Sequence, residues 1–376
     1  MKHHLSPKHT KKIGDSVIVW FEKSNSYIVL NEELHKLLDL YIFSKDKISF
    51  ISNIQKFGYS HTQSRSLFKD IDILLKDQNV EDFTDNLKDI PFKALSKEYS
   101  ESYNIWNTKI ALHYSSEKVK QLIHPSLSYL AEANYSTCDT NIHIYQEKHE
   151  LVLAENETSV FRCLAKDYHK LQGKFSQLIM NILYKTKESD YLGCFHATTV
   201  SKSDKAIMLI GSSGSGKSTL SAILQKNGFK LVSDDVSYMN KLDLSIKAYP
   251  SAISIKEGSL TSLNSFYNNL MQLPKVNLNP KKGYIRYIPP LEMDYKKSPL
   301  CNTILLVNYK KNVPTRLDAL NIKYVLEVLI PESWIAHESE SALNFLNWLE
   351  TINCYRLTYS NAEGISDLLC QEIIDK

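Results

Sequence analysis

Near the start of the chain, the run VIVWFEKSNSYIVL (residues 17–30) sets two β-rich apolar stretches around a polar turn at residues 23–26, the pattern of a β-hairpin. Asn31 then reads as a helix cap. Glu32 and Glu33 fall in the first turn, and Leu34, Leu37, Leu38 and Tyr41 recur at helical spacing on one face. A second helix is predicted over about 48–57, ended by Gly58, and a third over about 62–76. A hairpin followed by three helices is a winged-helix-like order. From about residue 77 to about residue 100 the period fades into Glu81, Asp82, Asp85, Asp89 and Pro91, the composition of a linker. Beyond it strands and helices alternate: NTKIALHY, a helical SEKVKQLIHPSLSYLAEA, the strands NIHIYQ and ELVLAE, then a helical DYHKLQGKFSQLIMNIL. Such mixing predicts an α/β domain. The expected organisation is therefore a small domain over residues 1–90, with its core at about 12–78, and a larger α/β domain over 91–376.

The sharpest chemical signal is GSSGSGKSTLSAILQKNGFKLVSDD, residues 211–235. Gly211, Gly216, Lys217 and Ser218 satisfy G-x-x-x-x-G-K-[ST], a pattern that average residue usage produces by chance in a chain of this length with a probability of roughly one per cent. A β-type run, KAIMLI, precedes it, and residues 218–227 are helical up to Gly228, a left-handed cap. The expected phosphate cradle is Gly211, Ser212, Ser213, Gly214, Ser215, Gly216, Lys217, Ser218 and Thr219. Its backbone N–H groups and helix start face an anion, Lys217 reaches the β/γ oxygens and the Ser218 hydroxyl ligates Mg2+. The competing reading is a glycine turn without ligand.

After Gly228, FKLV reads as a short strand lying parallel beside KAIMLI in a right-handed βαβ unit, so that Asp234 and Asp235 emerge next to the loop. Two carboxylates there can divide the work of holding a metal and taking a proton from an incoming hydroxyl. The alternative is one acid capping a turn and the other solvated. Upstream, GCFHATTV and KAIMLI are joined by SKSDK, a hairpin centred near Ser203 that sets His196 opposite Ile210 at the mouth of the loop. A histidine there orients or tunes an aspartate, or is simply structural.

Composition narrows the partners. A hydrophobic fraction of 43% and a charged fraction of 23% over 376 residues are ordinary globular values, and a net charge of +3 is too small to attract nucleic acid or membrane in bulk. The basic start (Lys2, His3, His4, Lys8, His9, Lys11, Lys12) reads as a solvated terminus. In the third helix Arg65, Lys69 and Lys76 mingle with Asp70, Asp72 and Asp77, which leaves no basic face for DNA. Six scattered cysteines without a C-x-x-C pair read as reduced thiols, and apolar runs such as NTILLVNY are too short for a membrane helix. A cytoplasmic protein without nucleic-acid or membrane partners is expected.

Two resemblances bear on these residues. GDSVIVWFEKSNSYIVLNEELHKLL resembles the PqqD-like domain, over roughly residues 12–78. That likeness implies recognition of the leader of a ribosomally made precursor peptide, bound as an added strand on the hairpin edge. FHATTV, GSSGSGKS, the ten-residue helix and GFKLVSDD resemble, in order and spacing, the HPr kinase/phosphorylase family and its HPr-kinase-like relatives. AYPSAISIK (248–256) is similar to the proline-containing strand of those relatives, and YRLTYSNAEGISDLL to their terminal strand and helix. The likeness covers roughly residues 100–376 and is sharp over about 193–240. It implies a P-loop domain with a mixed sheet, ATP in the loop, Mg2+ on Ser218 with Asp234 helping to hold it, Asp235 as catalytic acid/base, and Asp234 and His196 in support. The arginine-rich signature of the bifunctional enzymes is not evident. NPKKGYIRYIPP (279–290) offers Lys282 and Arg286, as phosphate or substrate contacts or as solvated charge, so phosphorylase activity and HPr as substrate are not expected.

The expected function is an ATP- and Mg2+-dependent kinase acting on a Ser or Thr hydroxyl of a precursor peptide. A small-molecule hydroxyl kinase and a nucleotide-gated peptide chaperone without phosphotransfer are the alternatives. A transporter-type ATPase is disfavoured, because no LSGGQ-like signature follows and the carboxylates arrive 16 residues after Ser218 (234 less 218). Relatives of the kinase family assemble into rings, which leaves a homo-oligomer open.

Overall fold

The strand Ser16–Phe21 is buried at all six positions, so both of its faces need cover. How it gets that cover organises the first of two compact units in the computed structural model, which describes residues 3–80, 92–132, 137–277, 283–293 and 295–375. The units are Met1–Thr84 with Ala319–Cys354, and Asp85–Asp318 with Tyr355–Lys376. The expected boundary at residues 90 and 91, and residues 81–91 of the expected linker, lie outside the described residues.

In the first unit Ser16–Phe21 is the middle of a three-stranded antiparallel sheet, between His9–Ile13 and Ser26–Asn31. Val17, Val19 and Phe21 face a core made by Leu37, Leu38 and Tyr41 of helix Glu32–Phe43, Phe50 and Ile54 of helix Lys47–Gln55, and Leu75 of helix His61–Gln78. The caps behave as their chemistry requires: the Asn31 side chain accepts from Leu34 N–H at 2.8 Å, and Ser60 forms a reciprocal capping box with Gln63. Alternation turns Ile18 and Trp20 to the other face, and both are fully buried. There His9 stacks on Trp20 with ring centroids 5.4 Å apart, and its Nε2 lies 2.8 Å from Ser339 Oγ. Tyr27 meets Phe345 of helix Ser339–Thr351 edge-on at 5.0 Å.

Two expectations change here. The basic start is not a solvated terminus from residue 9 onward. It supplies an edge strand in which Lys11 pairs with Glu350 at 2.6 Å and Lys12 pairs with Glu32. The segment 319–354, expected in the α/β domain, belongs to the first unit by its contacts, because an amphipathic helix with Ala342, Phe345, Leu346 and Leu349 buried covers the second face of a sheet whose middle strand has no polar face.

The second unit is mixed α/β with mixed sheets. One six-stranded sheet runs in the order Ala131–Glu132, Ser100–Ile105, Thr108–Tyr114, Thr140–Glu147, Glu150–Glu155, Thr158–Leu164, and packs Tyr103, Leu112, Ile144 and Leu153 against Leu171, Phe175 and Ile179 of helix Tyr168–Tyr184. The long helix expected over 116–133 is instead two single-turn helices, Glu117–Lys120 and His124–Leu127. Pro125 cannot continue a helix begun earlier but fits the first turn of a new one.

The other six-stranded sheet orders as Lys230–Ser233, Thr198–Lys202, Lys205–Ile210, Leu300–Tyr309, Asn353–Tyr359, Arg316–Ala319. FKLV was expected directly beside KAIMLI. The hairpin partner Thr198–Lys202 occupies that flank, so Lys230–Ser233 pairs antiparallel with Thr198–Lys202 one strand further out, and the parallel neighbour of Lys205–Ile210 is Leu300–Tyr309. Two antiparallel steps restore direction. Lys230–Ser233 and Lys205–Ile210 therefore still end on the same edge of the sheet.

All six cysteines are free, and no helix among the described residues is long and apolar enough to cross a membrane. Phe345→Ala should destabilise the first unit by about 3–5 kcal/mol, the cost of emptying a fully buried aromatic site. Urea unfolding followed by tryptophan fluorescence measures it. A loss below about 1 kcal/mol would mean that helix Ser339–Thr351 does not close this core.

Candidate active site

Strand Lys205–Ile210 is buried from Ala206 onward and delivers the chain to a loop that must reverse into helix Lys217–Lys226 within six residues. Gly211, Gly214 and Gly216 make the turn with φ of 146°, 89° and 100°, values side-chain-bearing residues rarely adopt. Space is equally restrictive. A Cβ on Gly211 would lie 2.6 Å from Ser215 Oγ, and one on Gly216 would lie 2.6 Å from the Tyr359 hydroxyl and 3.2 Å from Tyr309 Cβ. Neighbouring strands clamp the loop: Tyr309 N–H donates to Ser215 O at 3.0 Å, and the Tyr359 hydroxyl donates to Gly216 O at 3.2 Å. Lys217 is buried, and its ammonium donates to Gly211 O at 2.6 Å. The loop thus surrounds a helix N-terminus, whose first N–H groups have no partner within the helix, with a lysine beside it.

Asp234 and Asp235 follow strand Lys230–Ser233 and differ sharply in setting. Asp234 is buried. It accepts from Thr198 Oγ1 at 2.7 Å, from Ser218 Oγ at 3.2 Å, and from Ser254 N–H at 2.9 Å. Burial first, and the neighbouring Asp235 charge second, push its pKa up to about 7 against the pull of those donors. Asp235 is exposed in a left-handed backbone conformation, φ 63°, in a tight turn closed by Val236 N–H donating to Asp234 O at 2.8 Å. The turn is what throws adjacent side chains into opposite environments. The Ser254 hydroxyl lies 3.4 Å from Asp234 Oδ2 and 3.2 Å from Asp235 Oδ2; having one proton, it donates to one at a time.

Ser254 sits on strand Ile253–Lys256, which pairs antiparallel with Ile285–Ile288, setting Ser254 opposite Tyr287 and Lys256 opposite Ile285. Alternation puts Ile253 and Ile255 in the core and Ser254 and Lys256 toward the loop, where Lys256 Nζ donates to Ser213 Oγ at 2.8 Å. Burial, then Asp235 and Asp234, hold the Tyr287 hydroxyl far above its ordinary pKa, so it stays neutral and able to donate. These groups line a cleft of about 290 Å³ together with Lys217, Ser218, Asp235 and His196, with Tyr168 and Gln172 on a further wall.

His196 reaches this cleft by another route than expected. GCFHATTV is not one strand. It breaks at His196 into Tyr191–Phe195, which pairs with Ser237–Asn240, and Thr198–Lys202, which pairs with Lys205–Ile210. Ala197 N–H donates to Phe195 O at 2.8 Å, a turn about His196 that lets the chain pass between two sheets. The hairpin exists, but its register pairs Thr198 with Leu209, one residue off a centre at Ser203, because Ser203 and Asp204 together form the turn with φ of 49° and 63°. Arg286 is neither a phosphate contact nor a solvated charge: it is buried behind the cleft, on the face of its strand opposite Tyr287, and donates to Leu273 O. Lys282 lies outside the described residues.

The Ser218 hydroxyl and the Asp234 carboxylate lie 3.2 Å apart beside the loop, and these two oxygen groups would be the ones to hold a Mg2+ ion there. No group of three or more His, Cys, Asp or Glu that could hold a metal occurs among the described residues. Thr198, Ser254, Lys256 and Tyr287 were not anticipated. The alternation of AISIK carried a signal for two of them, since Ile253 and Ile255 facing inward put Ser254 and Lys256 together on the opposite face.

No family model matches the chain, and no curated protein matches it. Among solved structures it is similar to the Hpr(Ser) kinase/phosphatase from Coxiella burnetii, with 11% identity, 48% of this chain and 94% of that chain covered, and a TM-score of 0.20. At that score the likeness gives no residue-by-residue correspondence.

Gly216→Ala should strain the loop and lower the melting temperature; an unchanged melt would mean that the loop tolerates a side chain at φ 100° against Tyr359. Asp234 should give the fold a signed pH dependence. Its folded pKa is raised from 3.8, so the stability of the protonated form is complete below that value and is lost as pH rises through about 7. In a chelating buffer, the melting temperature of Asp234→Asn should therefore gain on that of the wild type between about pH 5 and about pH 8. A constant difference would show that Asp234 does not change charge in this range.

Proposed function

We propose that this protein is an ATP- and Mg2+-dependent phosphotransferase that moves the terminal phosphate of ATP to a hydroxyl side chain, Ser or Thr, of a ribosomally made precursor peptide. The observation that carries the reading is the pair of unlike carboxylates beside a phosphate loop: Asp234 is buried against Ser218, and Asp235 is exposed in the cleft. One is suited to holding a cation, the other to meeting an acceptor.

In this reading the loop amides of residues 211–216 and the start of helix Lys217–Lys226 bind the phosphate chain, and Lys217 exchanges its bond to Gly211 O for phosphate oxygens. Ser218 and Asp234 would hold Mg2+, which would supply neutralisation of charge on the transferring phosphate. Asp235 accepts the proton of the acceptor hydroxyl as that oxygen bonds to phosphorus, while the electrons of the broken bridge bond leave with ADP. ATP and hydroxyl become ADP, phosphate ester and one proton. His196, lining the same cleft, is a positioning residue for Asp235.

A peptide acceptor is supported by the first unit. Among the described residues, Ser26–Asn31 pairs with Ser16–Phe21 and with no other strand, so its second edge offers backbone groups to an added strand. The resemblance to PqqD-like domains points the same way.

The test is intact-mass spectrometry of candidate precursor peptides after incubation with the protein, Mg2+ and ATP. Wild type should add one phosphate to a Ser or Thr. Asp235→Asn should keep nucleotide binding and lose transfer by about 10²–10⁴-fold. Robust transfer by that variant would sink Asp235 as base, and transfer to small hydroxylated compounds alone would replace the peptide by a metabolite.

A further inference from the structure

The cleft holds a second lysine that the reading above does not use. Lys256 closes strand Ile253–Lys256, and its ammonium rests 2.8 Å from Ser213 Oγ, on the phosphate loop itself. No carboxylate pairs with it among the described residues. The adjacent acid, Glu257, pairs instead with Lys275 at 3.5 Å, and the two carboxylates of the cleft take hydroxyl and backbone donors: Asp234 from Thr198, Ser218 and Ser254, Asp235 from Ser254. A cation held by one neutral hydroxyl at the rim of an anion cradle has a stronger partner available in any phosphate that enters, since a charge-assisted bond outweighs a bond to a neutral acceptor. The strand makes the placement firm. Ile253 and Ile255 are buried, and Ser254, two residues back on the same face, donates its N–H to Asp234 and can donate its hydroxyl to Asp235.

We infer that Lys256 is a catalytic residue that contacts the terminal phosphate of the donor and follows its charge through transfer, as an intramolecular counterpart of an arginine finger. The inference rests on the phosphotransferase reading. Lys256 forms no covalent bond; it leaves Ser213 for a terminal phosphate oxygen. Its partner is a group that a diphosphate lacks. Lys217 and the loop, by contrast, serve phosphate oxygens that a diphosphate also carries.

That difference gives the test. ADP and a non-hydrolysable ATP analogue, each with Mg2+, are titrated by calorimetry against the full-length wild type, Lys256→Ala and Lys256→Arg. In Lys256→Ala the affinity for ADP should stay within about twofold, while that for the triphosphate analogue falls about tenfold or more, the scale of one lost charge-assisted bond. Lys256→Arg should restore most of the preference. An equal fall for both ligands would reduce Lys256 to a latch on the loop and overturn the proposal, as would no change in either. If the wild type binds neither nucleotide, the proposed function itself fails and the inference with it; if it binds both and Lys256→Ala loses no selectivity, only the inference fails. Circular dichroism melts of the variants separate misfolding from lost contact.

Discussion

Everything in the second unit that bears on chemistry depends on the burial of one carboxylate. A buried, ionisable Asp234 is tolerable only where donors surround it. Here they come from three separate elements: Thr198 at the start of a sheet strand, Ser218 in the first turn of the phosphate-loop helix, and Ser254 on the short strand across the cleft. The acid therefore ties the loop helix, the sheet and the cleft wall to one point. It does so at a cost, visible in the upward shift of its pKa, and the cost has a chemical use. Burial disfavours the charged form of this acid, and a cation beside it would offset that penalty.

The left-handed residue at Asp235 extends that logic. A strand alone would send consecutive side chains to opposite faces of a sheet; the tight turn after Ser233 instead leaves one carboxylate inside and the next at the open cleft, with the Ser254 hydroxyl within reach of either. Non-glycine residues with φ near 63° are uncommon, and strain of this kind persists where surrounding contacts over-determine it. The bond from Val236 N–H to Asp234 O and the pairing of Ser237–Asn240 immediately afterwards supply that constraint. His196 and Asp235 both stand where the chain passes between sheets, and both were brought to the cleft by turns rather than by strands.

The first unit follows a different constraint. Its middle strand is apolar on both faces, and a hairpin with three helices covers only one of them. Residues more than 300 positions away complete the cover, with Phe345 against Tyr27 and Ser339 against His9. The continuous apolar run VIVWF carried this requirement in the sequence, since a half-exposed strand would alternate.

The sequence by itself determined the local pieces: the capped helices after Asn31 and Ser60, the glycine loop between a buried strand and a helix, the hairpin before it, and the adjacency of two acids at a strand end. Each depends on side chains or backbone within a few residues, where propensity, capping and left-handed glycines act directly. Only the tertiary structure decided which strands became neighbours. Thr198–Lys202 took the flank expected for Lys230–Ser233, because a two-residue turn closes more readily than a crossover through a helix. It also decided that Asp234 would be inside and Asp235 outside, that Ser254 and Lys256 would face the loop while Arg286 turned away, and that residues 319–354 would complete the first unit. These outcomes depend on burial and on partners far apart in the chain, and no local window contains the atoms that settle them.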